Sequence, residues 1–140
     1  MAKDFTAQVS AIVLRHKALA DAVARESIGD LIEEMQTPKG KGGSMPLDTG
    51  FLRASGQVSF SGMPTGPIRP PEDAEPGSIP YMPDVATAQL AGLETGQKVF
   101  FGWTAIYARR QNFYNGFRDK ALQNWQNIVN NVVRRLAKRV

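Results

Sequence analysis

All nine prolines of this 140-residue chain lie between Pro38 and Pro83, and that placement decides where long helices can form. Proline lacks a backbone donor and its ring clashes with the preceding turn, so it stops a helix and is kept out of central strands. Long helices are therefore open to the chain only before residue 38 and after residue 83. Both flanks carry the matching pattern. From Asp4, read as an N-cap, to Gln36 the sequence predicts one helix. Phe5, Val9, Ile12, Leu19, Val23, Leu31 and Met35 lie on or near one face, with Val13, Leu14 and Ile28 beside them. Gly29 marks a bend or a close approach, and Pro38 forces Thr37 out of helical backbone. Such a helix is longer than a compact domain of this size needs, so part of it is expected to meet another subunit. Gly116–Val140 predicts a second helix, with Phe117, Ala121, Trp125, Ile128, Val129, Val132 and Leu136 along one stripe.

Between the flanks the signals are short. Residues 37–47 form a glycine-rich basic loop that fails the phosphate-cradle pattern, because Lys41 is followed by Gly42 and the loop comes after a helix. In Asp48-Thr49-Gly50-Phe51-Leu52-Arg53-Ala54-Ser55, Asp48 or Thr49 can cap a short helix whose Phe51, Leu52 and Ala54 dock on the long ones. Gln57–Ser61 alternates as a half-buried strand. From Gly62 to Pro83 the prolines permit only an arm or long loop, carrying the acids Glu72, Asp73 and Glu75. Asp84 caps a short helix ending near Gly92. Gln97–Trp103 reads as a second strand interior to a sheet, and residues 104–113 add a helical turn or two. The expected fold is α+β: a single domain over 1–140, with long N- and C-terminal helices packed on a small antiparallel sheet and a long Pro-rich loop at 62–83.

Charge is split along the chain. Residues 1–97 carry eight basic and twelve acidic side chains, whereas residues 98–140 carry nine basic and one acidic. A basic half of this kind faces phosphate or a neighbour's carboxylates. The plainer reading of Arg134, Arg135, Lys138 and Arg139 is that cations gather at a helix C-terminus, where the backbone dipole favours them. No window reaches the length of a membrane span and no secretory apolar segment opens the chain, so a cytoplasmic site of synthesis is expected.

Chemistry is thinly represented. With no cysteine, thiolate nucleophiles and cysteine metal sites are excluded. His16 has no ligand partner three or four residues away and reads as a surface or partly packed side chain. Glu33 and Glu34 are adjacent and project about 100° apart on a helix. Ser55 has no base nearby in sequence. No catalytic residue, cofactor or metal is expected. Trp103, Tyr107, Arg109, Arg110, Phe113, Tyr114, Phe117 and Arg118 interleave rings with cations, yet their spacing places most of the rings in the core.

Two segments together resemble the neck or tail-completion proteins of long-tailed bacteriophages. One is Met45–Ser55, with its Asp-Thr-Gly-x-Leu-Arg-x-Ser pattern followed by a strand. The other runs from Val99–Trp103 through Ile106-Tyr107-Ala108-Arg109 to Gly116-Phe117 and a last helix bearing Ala121, Trp125, Ile128 and Val129. The resemblance covers roughly residues 45–61 and 97–133. It departs at Gln111 and Asn112, where the family has an acid and a glycine. It implies a virion protein, made in the host cytoplasm, whose subunits assemble into a hexameric ring at the head–tail junction. Such a ring contacts a connector or tail-terminator ring and surrounds the DNA passage non-specifically. It also implies that Asp48, Thr49, Gly50, Leu52, Arg53, Tyr107, Ala108 and Trp125 shape the fold. Arg109, Arg110, Arg134, Arg135, Lys138, Arg139, Glu72, Asp73 and Glu75 are then candidates for subunit or DNA contact, with 62–83 as a removable arm that reaches a neighbour. The alternative is a small basic nucleic-acid-binding protein that uses its C-terminal helix.

Overall fold

The computed structural model describes the backbone of residues 2–138 and the side chains of residues 6–138. Helix α1 (Ala2–Gln36) is followed by a 3-10 turn (Lys39–Lys41), α2 (Phe51–Ala54), β1 (Gly56–Ser59), α3 (Pro83–Leu90), β2 (Phe100–Trp103), α4 (Ala108–Asn115), α5 (Phe117–Gln123) and α6 (Trp125–Ala137). This is the α+β architecture: a long first helix and C-terminal helices packed on a small antiparallel sheet. β1 and β2 pair from Gly56 opposite Trp103 to Ser59 opposite Phe100. Because the sheet has two strands, β2 is an edge rather than an interior strand. Its apolar residues are covered by helices instead of by further strands.

The core has two centres. Ile32 and Met35 of α1 pack with Val58, Leu90, Leu93 and Ala121, and Met45, Phe51, Leu52, Ala105 and Phe117 form the other group. Trp103 touches both, standing edge-on to Phe101 at 5.1 Å and to Phe117 at 4.8 Å. Edge-to-face packing of this kind adds to the burial of the rings themselves. α6 runs back along α1. Asn124 meets Glu34, and Arg135 meets Asp30 and Glu26 further toward the N-terminal end.

Several boundaries differ from the sequence pattern for physical reasons. The last helix is two: Asn124 leaves helical backbone at φ −90°, ψ 4°, while its side-chain amide donates to Glu34 Oε1 at 2.9 Å. Asparagine competes well for such local and side-chain bonds, and the break turns Trp125 out of the stripe to 38% exposure. Asp84 is not a cap, since Pro83 takes the first helical position and Asp84 follows it. Asp4 lies inside α1 rather than ahead of it, and its side chain is outside the described residues, as is that of Phe5. Gly29 lies within the unbroken α1 and faces Leu90 of α3, where a Cβ would make an ordinary contact at 3.9 Å, so nothing there requires glycine. Gly116, at φ 70°, closes α4 and opens α5 in left-handed backbone that a side chain would strain.

Candidate functional site

The Asp48–Ser55 segment is a structural node built around Gln36. Gln36 is 2% exposed. Its Nε2 donates to the Arg53 carbonyl at 2.9 Å, and its Oε1 accepts from Trp103 Nε1 at 3.0 Å. Arg53 Nε returns a bond of 2.8 Å to the Gln36 carbonyl, satisfying one of the acceptors that a helix end leaves open. The Arg53 guanidinium lies 3.8 Å over the Tyr81 ring. Gly50 sits at φ 94° beneath the Ile79 carbonyl, so a side chain there would be both strained and obstructed. Thr49 Oγ1 accepts the Phe51 N–H at 3.2 Å, one step ahead of the helix, while Asp48 is exposed and holds its neighbours through its backbone. Leu52 is buried, and Ser55 donates to the Leu52 carbonyl and accepts from Ala105 N–H. Tyr107 leans on Phe51 with ring centres 6.5 Å apart. Burial first, and then the Asp48 charge, push its phenol above the usual value. Ala108 packs into the same cluster. Gln36 went unnoticed in the sequence, although its place four residues after Ile32 on the apolar face marked it.

The cations separate into used and unused. Arg135 pairs within the chain with Asp30 at 3.2 Å and Glu26 at 3.5 Å, which corrects its assignment as an outward contact. Arg118 pairs with its neighbour Asp119. Arg134 and Lys138 are exposed, and Arg139 lies outside the described residues. Arg109 and Arg110 are exposed on α4 with Phe113 and Tyr114, whose rings are 81% and 73% exposed. Those two rings were expected in the core. The half-turn they share with the arginines faces away from the body, whereas Gln111, Asn112 and Asn115 supply the inner face.

The Pro-rich segment is bound to its own subunit rather than free to reach. The Ile106 N–H donates to the Ile68 carbonyl at 2.9 Å, and Thr104 Oγ1 donates to the Pro67 carbonyl at 2.7 Å. At the far end Gly77 and Ile79 donate to the carbonyls of Asp48 and Thr49 at 2.7 and 2.9 Å. Between these anchors, two consecutive turns closed by Ala74 N–H to Pro71 and Ser78 N–H to Glu75 hold Glu72, Asp73 and Glu75 at the surface. A removable arm would have lacked such bonds.

A long uncovered stretch belongs to α1. Every residue from Thr6 to Ala20 is exposed, including Val9, Ile12, Val13 at 60%, Leu14 at 66% and Leu19. Where that stretch joins the body, Leu19, Ala20, Val23 and Ala24 meet Val133, Leu136 and Ala137 of α6 around an apolar groove of about 500 Å³. His16 stands at its rim on the surface, in line with the sequence reading. Asp21, directly below, is buried. It accepts from Thr95 N–H and Thr95 Oγ1 at 2.7 Å each and from Lys17 Nζ at 3.0 Å. These bonds, led by the Thr95 backbone, hold its carboxyl well below the usual range. Among the described residues no helix is long and apolar enough to cross a membrane. No three of His, Cys, Asp and Glu there converge on a metal-sized centre.

No family model, curated protein or solved structure matches the chain significantly.

Proposed function

We propose that the chain is a structural subunit of a tailed-phage neck or tail-completion ring, a hexamer joining tail to head around the DNA passage. The observation that carries this reading is the uncovered first half of α1. An isolated helix of about 12–15 residues is marginal in water. One displaying Val9, Ile12, Val13 and Leu14 on its surface therefore gains its order from a neighbour that covers it. Repeated head-to-tail contacts between like subunits close into rings. The resemblance of Asp48–Ser55 and Tyr107-Ala108 to neck proteins supports the same assignment, with a connector or tail-terminator ring as the next layer.

The test is size and place. Light scattering on the purified chain is expected to give a mass of several subunits, and removing residues 2–14 is expected to reduce it to one. Electron microscopy of virions carrying a tagged copy is expected to place the tag at the neck. A tag absent from particles, or a monomer unaffected by the truncation, rejects the assignment.

A second reading, a small nucleic-acid-binding protein, draws on the exposed Arg134 and Lys138 and on the Arg109/Arg110 face with its two open rings. It requires DNA binding that falls steeply with salt, roughly one power of salt concentration per phosphate contacted.

A further inference from the structure

The geometry points to a specific subunit contact: the acidic double turn Pro71–Ser78 of one copy docks on the aromatic–arginine face of α4 in the next. This rests on the ring reading and names two of the surfaces that would make the ring. The two faces are complementary in charge. On the double turn Glu72, Asp73 and Glu75 are exposed, and among the described residues none of them makes an ion pair. On α4 Arg109, Arg110, Phe113 and Tyr114 fall within one arc of the helix, because each arginine stands four residues before a ring. Neither arginine has an acidic partner among the described residues. The Phe113 and Tyr114 rings meet edge-on at 5.4 Å and 81°, forming a small platform that is exposed almost completely.

Arginine and aromatic side chains are what the centres of protein interfaces collect, since they bury much area at little conformational cost. Here they lie on the outside with nothing over them. The acids are likewise pre-set. Two turn bonds shape their loop, and the bonds Ile106 to Ile68 and Gly77 to Asp48 fix its ends, so little freedom remains to be lost on docking. The same anchors hold the acids on their own subunit, where among the described residues they make no ion pair with an arginine, so the pairing falls to a second copy. Because the two faces differ, the contact is head-to-tail, the kind that closes into a ring. The rings supply the burial, and the charges set partner and register.

Two variants test it. Glu72→Lys with Asp73→Lys and Glu75→Lys reverses the turn; Arg109→Glu with Arg110→Glu reverses the helix face. All five side chains are exposed and, among the described residues, make no ion pair, so thermal melts should match the parent. Each variant alone is expected to sediment as a monomer, its association weakened at least about tenfold. An equimolar mixture is expected to reassemble, because a reversed turn then meets a reversed helix across every second contact while the parent pairing fills the others. Variants that assemble as the parent does, or a mixture that stays monomeric, overturn the contact while leaving the ring reading intact. A parent chain that is itself monomeric at high concentration removes both. If the helix-face variant assembles normally but loses affinity for single-stranded DNA, the face belongs to nucleic acid and the contact is wrong.

Discussion

Gln36 is where the end of α1, the motif helix α2 and strand β2 are held together. Replacing it with alanine leaves the Trp103 N–H and the Arg53 carbonyl without partners and opens a void. A loss of about 2–3 kcal/mol is expected in a denaturant titration. Asp21 makes a second residue-scale prediction. Its folded pKa lies below that of an unfolded aspartate, near 3.9, so its stabilisation is full above that pH and disappears as pH falls through the folded value. Asp21→Asn is therefore expected to be less stable than the parent at neutral pH and to show a flatter stability profile below about pH 4. At this scale the sequence was only partly legible. Phe117 and Val132 could be placed in the core by period, and Leu52 by its place in a short helix that docks on the long ones. Arg135 could not be assigned, because its partners Glu26 and Asp30 lie about a hundred residues away along the chain, and no local pattern announces a pairing of that range. Phe113 and Tyr114 misled for the opposite reason: rings are usually buried, and only the packing of α4 reveals that its inner face is made of amides.

At the scale of elements, α1 is two things in one helix. From Asp21 onward it builds the core; before that, every described side chain is exposed. Deleting residues 2–14 is thus expected to leave the thermal midpoint within a few degrees of the parent while abolishing self-association, as read by circular dichroism and light scattering. The opposite holds for the Pro-rich segment. Removing residues 64–80 cancels the bonds to Thr104, Ile106, Asp48 and Thr49. The subunit itself is then expected to lose about 2–4 kcal/mol, where a free arm would have cost nothing. Helix period located both ends of the molecule, since a stripe of apolar residues is a local signal. The break at Asn124 was hidden by that same stripe, which continues in phase across it. The attachment of the Pro-rich segment was hidden because three of its four anchoring bonds run from backbone to backbone and leave no trace in side-chain identity, and the fourth uses a single threonine hydroxyl.

For the molecule as a whole, proline placement and two amphipathic patterns were enough to define the α+β class. The pairing of β1 with β2 followed once both strands flanked the same loop. What the pattern could not tell is which apolar surface is core and which faces outward, since exposed Val9 and buried Met35 were read on the same face of one helix. The division is made by where α6 ends: Leu136 and Ala137 line a groove with His16, Leu19, Ala20, Val23 and Ala24 of α1. With its second half clamped between α3, α5 and α6 and its first half clear of them, α1 is a cantilever. At about 1.5 Å per residue, the stretch from Thr6 to Ala18 overhangs by roughly 20 Å without a hinge, for no glycine or proline interrupts it. A load applied near Val9 would be carried along the unbroken helix to where it enters the body beside Leu136 and Ala137, so tilting one subunit in an assembly would press on that junction.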